Sequence, residues 1–270
     1  MRNIYWKLGR KLYLKGRKDD IRGTVDDSEK KLIRDLVPFF NKKDKVVLFD
    51  IGANIGDWSL YNQSLLKNKG EQLRQYLFEP IPKTYSKLLT NISGNNVTIE
   101  NMAISNETGE VTMFIAREDF AGTNSLYNTN IKDAQEVKVK TTTLQDYLVK
   151  NNIQHIDFAK CDAEGHDFKI IAGAKQLFES EKISFFQFEY NHRWIYARSY
   201  LKDVYDVLED TPYYVAKITK DGLEVYQEWH FELEKYFQSN FLIIHKPQLS
   251  ALKDVRLGNI GSGNVFLKKL

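Results

Sequence analysis

Cys161 is the only cysteine in 270 residues, so no disulfide can form within the chain. That suits a reducing compartment. No run of about 18 apolar residues occurs, so a membrane-spanning helix is not expected. The first twenty residues lack an apolar stretch and a small-residue cleavage site, which argues against a secretory signal. The expected location is the cytoplasm. Internal repeats and low-complexity tracts are absent too. So is the G-x-G-x-x-G run that a dinucleotide pyrophosphate requires.

What is present begins with an uneven charge. Residues 1–22 carry a net +6 and residues 246–270 a net +4, which leaves −7 for residues 23–245 of a chain whose total is +3. An acidic body is a poor platform for a nucleic-acid backbone, and no nucleic-acid partner is expected. The basic N-terminal arm could meet an anionic carrier or an anionic membrane surface, which would place the protein at the inner face of the membrane. It could equally be a solvated end. A homo-oligomer is left open.

Residues 3–15 read as a helix with Ile4, Leu8 and Leu12 on one face among bases; Tyr5, Trp6 and Tyr13 add amphipathic rings. Residues 28–40 read as a second helix, N-capped by Ser28. From Lys45 onward, short apolar runs alternate with helical segments, the signature of a mostly parallel sheet wound with helices. Strands are expected at 46–51, 75–78, 97–103, 156–161 and 183–189, and helices at 57–68, 82–92, 144–151 and 166–179. An added antiparallel pair is expected at 110–115 and 136–141. The polar segment 119–130 between them reads as a glycine-hinged lid. After a helix at 200–209, strands near 213–218 and 241–245 suggest an antiparallel pair at the sheet edge. The divisions that follow are an N-terminal arm, 1–45, a main domain, 46–245, and a C-terminal extension, 246–270.

The strongest local pattern is Asp50-Ile51-Gly52-Ala53-Asn54-Ile55-Gly56 at the end of the first strand. Gly52 and Gly56 remove side chains where backbone would approach a ligand, beside the N-terminus of the next helix. Ligands of open α/β sheets bind at such carboxyl ends. The acidic Asp50 disfavours phosphate and suits a cation. S-adenosylmethionine, with a sulfonium, an ammonium and no phosphate, matches it, and the Asn54 amide could bind its amino-acid end. Phe78-Glu79-Pro80 closes the next strand, where Glu79 can accept both ribose hydroxyls.

These pieces, with Asn101-Met102-Ala103-Ile104-Ser105, Thr143-Leu144-Gln145-Asp146-Tyr147 and Lys160-Cys161-Asp162-Ala163-Glu164-Gly165, resemble the FkbM methyltransferase family over about residues 46–245. The resemblance implies a class I methyltransferase (Rossmann-like) fold, α/β with a seven-stranded, mostly parallel doubly wound sheet. It implies S-adenosylmethionine as cofactor, with Ala103 and Asp162 joining Asp50, Gly52, Asn54, Gly56 and Glu79 around it. It also implies O-methylation of a glycan or other small-molecule acceptor.

Methyl transfer to an alcohol needs alignment and a base. Asp162 is expected near the cofactor's charged centre, although it could instead cap the following helix. Glu164 is expected to hold or deprotonate the acceptor. His192 is a second candidate base, since its unperturbed pKa lies near neutrality, with a purely structural histidine as the alternative. Ser125, Glu189, Arg193 and Trp194 are candidate acceptor contacts, Trp194 by stacking on a sugar ring. Asp162, Glu164, His166 and Asp167 together admit a metal reading, but no metal is expected. The rival readings are a nicotinamide (NAD(P)-dependent) oxidoreductase, opposed by the missing glycine run, and a non-catalytic binding module. Base-amino and cytosine-C5 methylation are opposed by the lack of an Asn-Pro-Pro-Tyr strand end and of a Pro-Cys pair.

Overall fold

In a computed structural model, which describes residues 1–18, 25–115, 135–261 and 264–269, the first strand after the basic arm runs Val46–Ile51 (β1), and every residue in it is buried. Burial on both faces demands cover on both sides, and helices supply it. The other strands of the main sheet are β2 (Leu73–Phe78), β3 (Val97–Glu100), β7 (Phe158–Cys161), β8 (Phe185–Tyr190), β9 (Tyr213–Thr219), β10 (Gly222–Tyr226), β11 (Ser239–His245), β12 (Val255–Gly261) and β13 (Asn264–Lys269). Their order is β13-β12-β10-β9-β11-β8-β7-β1-β2-β3. From β3 to β8 neighbouring strands are parallel, and β11 then runs antiparallel to both β8 and β9.

The sheet is α/β and mostly parallel, as expected, but it has ten strands rather than seven. β9 and β11 do form an antiparallel pair, yet not at the edge. The Lys220–Gly222 turn folds β10 back onto β9, and β12 and β13 extend the sheet further. Residues 246–270 therefore include two strands of the main sheet and are no separate extension. The expected strand 97–103 is broken as well. The Asn101 side chain donates to the carbonyls of Glu79 and Pro80 at 2.9 and 3.1 Å, which turns the chain after β3. The chain then enters a second, three-stranded sheet as β4 (Ala103–Ile104), beside β6 (Gln135–Thr142) and β5 (Gly109–Ile115).

One face of the main sheet carries α5 (Leu144–Lys150), α6 (Asp167–Gly173), α7 (Lys175–Glu179) and α8 (Leu201–Val207), packed on Phe49, Ala159, Phe186, Phe188 and Ile243. The expected helix 166–179 is thus two helices. The backbone of Ser105 and Asn106 sits against Gly173, where the chain breaks its turn. α4 (Pro82–Asn91) lies over the β2–β3 end.

The opposite face carries α3 (Asp57–Leu65) and α2 (Val25–Asn41). α2 starts three residues before Ser28, which therefore lies in its first turn and is no N-cap. Leu32, Ile33, Leu36 and Phe40 of α2 are buried against Leu48, Phe158, Phe185 and Leu242. Four such side chains contribute roughly 6–12 kcal/mol by transfer from water. A boundary at residue 46 would expose them, so α2 belongs to the main domain. Only α1 (Arg2–Arg17) keeps an arm-like character, with Leu14 its one buried residue.

Candidate functional site

Strand register sets the site. Phe78 pairs with Ile51, Ile51 with Cys161, and Cys161 with Phe188. The next residue on each strand is Glu79, Gly52, Asp162 and Glu189. The carboxyl ends of four neighbouring strands thus form one row, three of whose four members are acids. Backbone hydrogen bonds carry the row beyond the strands: Gly52 N–H to Phe78 C=O at 3.0 Å and Asp162 N–H to Ile51 C=O at 2.9 Å. Two residues back from the row lie Asp50, Lys160 and Gln187, on the face covered by α2 and α3.

Gly52 is indispensable to the row. A Cβ there would stand 2.1 Å from the Asp162 carbonyl oxygen, and the residue has φ +78°. At Gly56, with φ +94°, a Cβ would stand 2.4 Å from Ile92 Cδ1. Both glycines make room for the protein's own neighbours. Asn54 takes a left-handed conformation, which asparagine tolerates. Its side chain is exposed, and its backbone N–H donates to Glu79 Oε2 at 3.0 Å.

Glu79 is buried and holds two loops together, accepting from Asn54 N–H and, at 2.9 Å, from Ile81 N–H. Burial still pushes its pKa up to about 7. Each of its oxygens keeps a lone pair for further donors. Asp50 is also buried. Ser59 donates to its Oδ2 at 2.7 Å, while Oδ1 has no protein partner. Burial raises its pKa although Lys160 and Ser59 oppose this. An orphaned buried carboxylate oxygen asks for a donor or a cation. Ala103 lies in one apolar cluster with Ile81, two residues past Glu79.

Lys160 was legible only as part of a motif, yet it anchors the layer. Its ammonium donates to Asp162 Oδ2 at 3.1 Å. Burial would lower its pKa, but the charges of Asp162, Asp50 and Glu29 overcome that and raise it. Glu29 comes from α2 and accepts from Gln187 at 2.7 Å and from Asn240. A lysine in an otherwise apolar central strand was the available signal, since such a charge must find partners.

Asp162 bonds to Lys160 and does not cap α6, which settles the alternative reading of that residue. Asp167 instead ties the turn, accepting from Ala163 N–H at 3.3 Å and Gly165 N–H at 3.2 Å. Burial, then Asp162, pushes its pKa up to about 7. His166 faces Ser105 Oγ at 2.9 Å, with its pKa pushed down to about 4 by burial and Lys169. His166 and Asp167 therefore do not gather with Asp162 and Glu164. Glu189 does, and Asp162, Glu164 and Glu189 each present an oxygen within 4.8 Å of the others. Hard oxygens so grouped could serve a cation. Gln238 donates to Glu189 at 2.7 Å, and Asn191 also donates to it. Burial and the neighbouring acids push the Glu189 pKa well up.

Glu164 is paired with Arg193. Burial first, then Asp162, outweighs that arginine and pushes the Glu164 pKa up to about 8. Arg193 is thus engaged by a protein carboxylate. His192 is exposed, and partial burial together with Arg193 lowers its pKa, which keeps its ring neutral at pH 7. Trp194 is a correction. It is 0% exposed, donates through its indole N–H to Glu189 C=O at 2.9 Å, and packs on Phe188 and Tyr190. A ring sealed in the core presents no face to a sugar; Tyr196 and Tyr200 are the exposed rings nearby. Ser125 and the segment 119–130 lie outside the described residues.

S-adenosylmethionine fits this residue set. Asp50 and Glu79 offer acceptors to its cationic and hydroxyl groups, and the acidic row repels phosphate. The methyltransferase FkbM domain model matches residues 50–215. No curated protein matches the chain significantly. Among solved structures, the methyltransferase FkbM of Methylobacillus flagellatus KT is 16% identical, with a TM-score of 0.47 over 74% of this chain and 44% of that one. The chain thus spans less than half of that protein. The N-terminal domain of human METTL16 in complex with SAH is 11% identical, with a TM-score of 0.43 over 79% and 67% of the two chains. The plantazolicin methyltransferase BpumL in complex with SAH is 10% identical, with a TM-score of 0.43 over 83% and 86%.

Proposed function

We propose that the chain, which belongs to the FkbM methyltransferase family, is an S-adenosylmethionine-dependent methyltransferase that methylates a hydroxyl oxygen of a sugar, a surface glycan or a similar small acceptor. The bound cofactor supplies an electrophilic methyl carbon on a sulfonium. Asp50 and Glu79 would hold it, and Asp162 would lie nearest its positive charge.

The observation that carries the oxygen-acceptor reading is Glu164. A hydroxyl becomes a good nucleophile only as its proton leaves, so the base should have a pKa near the working pH. Glu164, with a pKa of about 8, stands beside Asp162 and Glu189 and is oriented by Arg193. Glu189, fixed by Gln238 and Asn191, can accept from a second hydroxyl of the same acceptor. The net −7 of residues 23–245 favours a small neutral acceptor over a polynucleotide. His192 remains the alternative base.

The test incubates the protein with S-adenosylmethionine and a panel of glycans and nucleotide sugars, then reads products by mass spectrometry for one added methylene mass. Glu164→Gln is expected to lower turnover roughly a hundredfold with cofactor affinity nearly unchanged. Turnover at the wild-type rate in Glu164→Gln, with His192→Ala inactive, would move the base to His192. A product methylated on nitrogen or carbon would overturn the oxygen reading.

A further inference from the structure

α1 presents two sides of opposite character. Arg10, Tyr13, Leu14 and Arg17 face the body: Arg10 lies over the Phe237 ring, Tyr13 packs edge-on to Phe237 and donates to Glu232, and Lys217 donates to the Arg17 carbonyl at 2.9 Å. At 100° per residue, Ile4, Leu8 and Leu12 fall on the opposite side, with Tyr5 at their edge. They are 67%, 52%, 59% and 70% exposed. Lys7, Lys11 and Lys15 form a second row directly beside them, and no ion pair among the described residues engages these lysines. Residues 1–18 contain seven lysines and arginines and no acid.

We propose that this outward face of α1 seats the enzyme on an anionic lipid surface. An apolar row flanked by lysines matches a layer whose headgroups are negative and whose acyl region lies a few ångströms deeper. Tyr5 is an amphipathic ring suited to that boundary. The lysine row disfavours a second copy of the chain, because stripe-to-stripe docking would bring two lysine rows together. The apolar row has no counterpart in a phosphate backbone. No helix among the described residues is long and apolar enough to cross a membrane, so the contact is peripheral. The segment under α1, Phe231 to Phe237, continues into Gln238, which holds Glu189 in the site. The docked surface and the site are therefore served by one short stretch of chain.

The test is co-sedimentation of the full chain with phosphatidylcholine vesicles, with and without phosphatidylglycerol. Binding is expected only with the anionic lipid, and high salt should weaken it. Lys7→Glu/Lys11→Glu/Lys15→Glu should weaken partitioning roughly 100-fold. Ile4→Ser/Leu8→Ser/Leu12→Ser should weaken it at least about tenfold. Both variants should keep the wild-type melting temperature and S-adenosylmethionine affinity, since the changed residues touch neither core nor site. The proposal is overturned if the wild-type chain ignores anionic vesicles, binds neutral ones equally, or keeps its binding in either triple variant. A lipid-free dimer that the serine variant dissociates would overturn it too, by assigning the stripe to self-association.

Discussion

Replacing Glu79 by glutamine should make the free enzyme less sensitive to pH while crippling its hold on the cofactor. Glu79 is 5% exposed, and burial moves its pKa from 4.5 in the unfolded chain to about 7 in the folded one. Between those values the folded state holds a proton that the unfolded state has released. Stability from this group is therefore complete below pH 4.5 and is lost as pH rises through 7. From pH 5 to pH 8 the loss amounts to about 2–3 kcal/mol. Glutamine does not titrate, so the difference in unfolding free energy between wild type and Glu79→Gln should shift by that amount across the range, in favour of the variant at high pH. For a chain of this length the corresponding shift in the difference between melting temperatures is roughly 5–10 °C.

Subtracting the two profiles cancels contributions from Glu164, Asp167 and His166, which both proteins share. The assay is urea unfolding of each protein at pH 5 and pH 8 without cofactor. Parallel profiles would refute the argument, because they would mean that Glu79 titrates as it does in the unfolded chain. Ligand binding supplies the second reading. Hydroxyl donors prefer the ionised carboxylate, so wild-type affinity for S-adenosylmethionine should fall by up to tenfold per unit below pH 7. Loss of two charge-assisted hydrogen bonds should weaken Glu79→Gln about 100-fold or more at pH 8, with a flatter pH dependence.

Gly52→Ala should destabilise the protein by about 3 kcal/mol or more, because its Cβ would meet the Asp162 carbonyl at 2.1 Å in a left-handed backbone; a melting temperature within a degree of wild type would contradict the row of strand ends. Lys160→Met should cost about 3–5 kcal/mol in urea unfolding at pH 8 by leaving Asp50, Asp162 and Glu29 without their shared cation, and less at pH 5, where carboxylates can neutralise themselves. Binding of S-adenosylmethionine at pH 7 should release protons, because Glu79 and Asp167 at about 7 and Glu164 at about 8 are partly protonated beforehand. Calorimetry in two buffers of different ionisation enthalpy measures this, and proton uptake would contradict it.

The strand tips were legible from the chain because they are local events. Val46–Phe49 is an unbroken apolar run, followed by Asp50 and Ile51 and stopped by Gly52, and the observed bounds of the strand, Val46–Ile51, match the expected ones. Asp50, Glu79, Asp162 and Glu189 each sit in or just after such a run. What the pattern could not give was partnership at a distance. Glu29 lies 158 residues from Gln187 and 211 from Asn240, and no spacing rule joins a helix of the presumed arm to strands so far along. Trp194 shows a second kind of limit. An indole just past a strand end reads alike whether it faces solvent or core, and only its contacts with Phe188 and Tyr190 decide. The glycines show a third. Sequence announces that something comes close to Gly52 but not whether it is a ligand or the Asp162 carbonyl. The extra strands were missed because β10 begins at a glycine turn and because the lysine-rich end of the chain reads as a tail.

The acid-rich layer raises an electrostatic question whose answer bears on the cofactor. Carboxylates this close repel one another, and an interior of low dielectric strengthens the repulsion. The protein supplies Lys160, Arg193 and the backbone N–H groups of Asn54, Ile81, Ala163 and Gly165 against them. Asp50, Glu79, Glu164, Asp167 and Glu189 nevertheless all keep raised pKa values, through burial first and their acidic neighbours second. Carboxyl groups held protonated in this way ionise more readily when a ligand brings positive charge with it. A phosphate-bearing dinucleotide would favour their protonated form, whereas a sulfonium and an ammonium favour the ionised one. The same burial brings the Glu164 pKa to about 8, so on the proposed reading one buried, acid-rich arrangement would serve both the binding of the methyl donor and the activation of the acceptor.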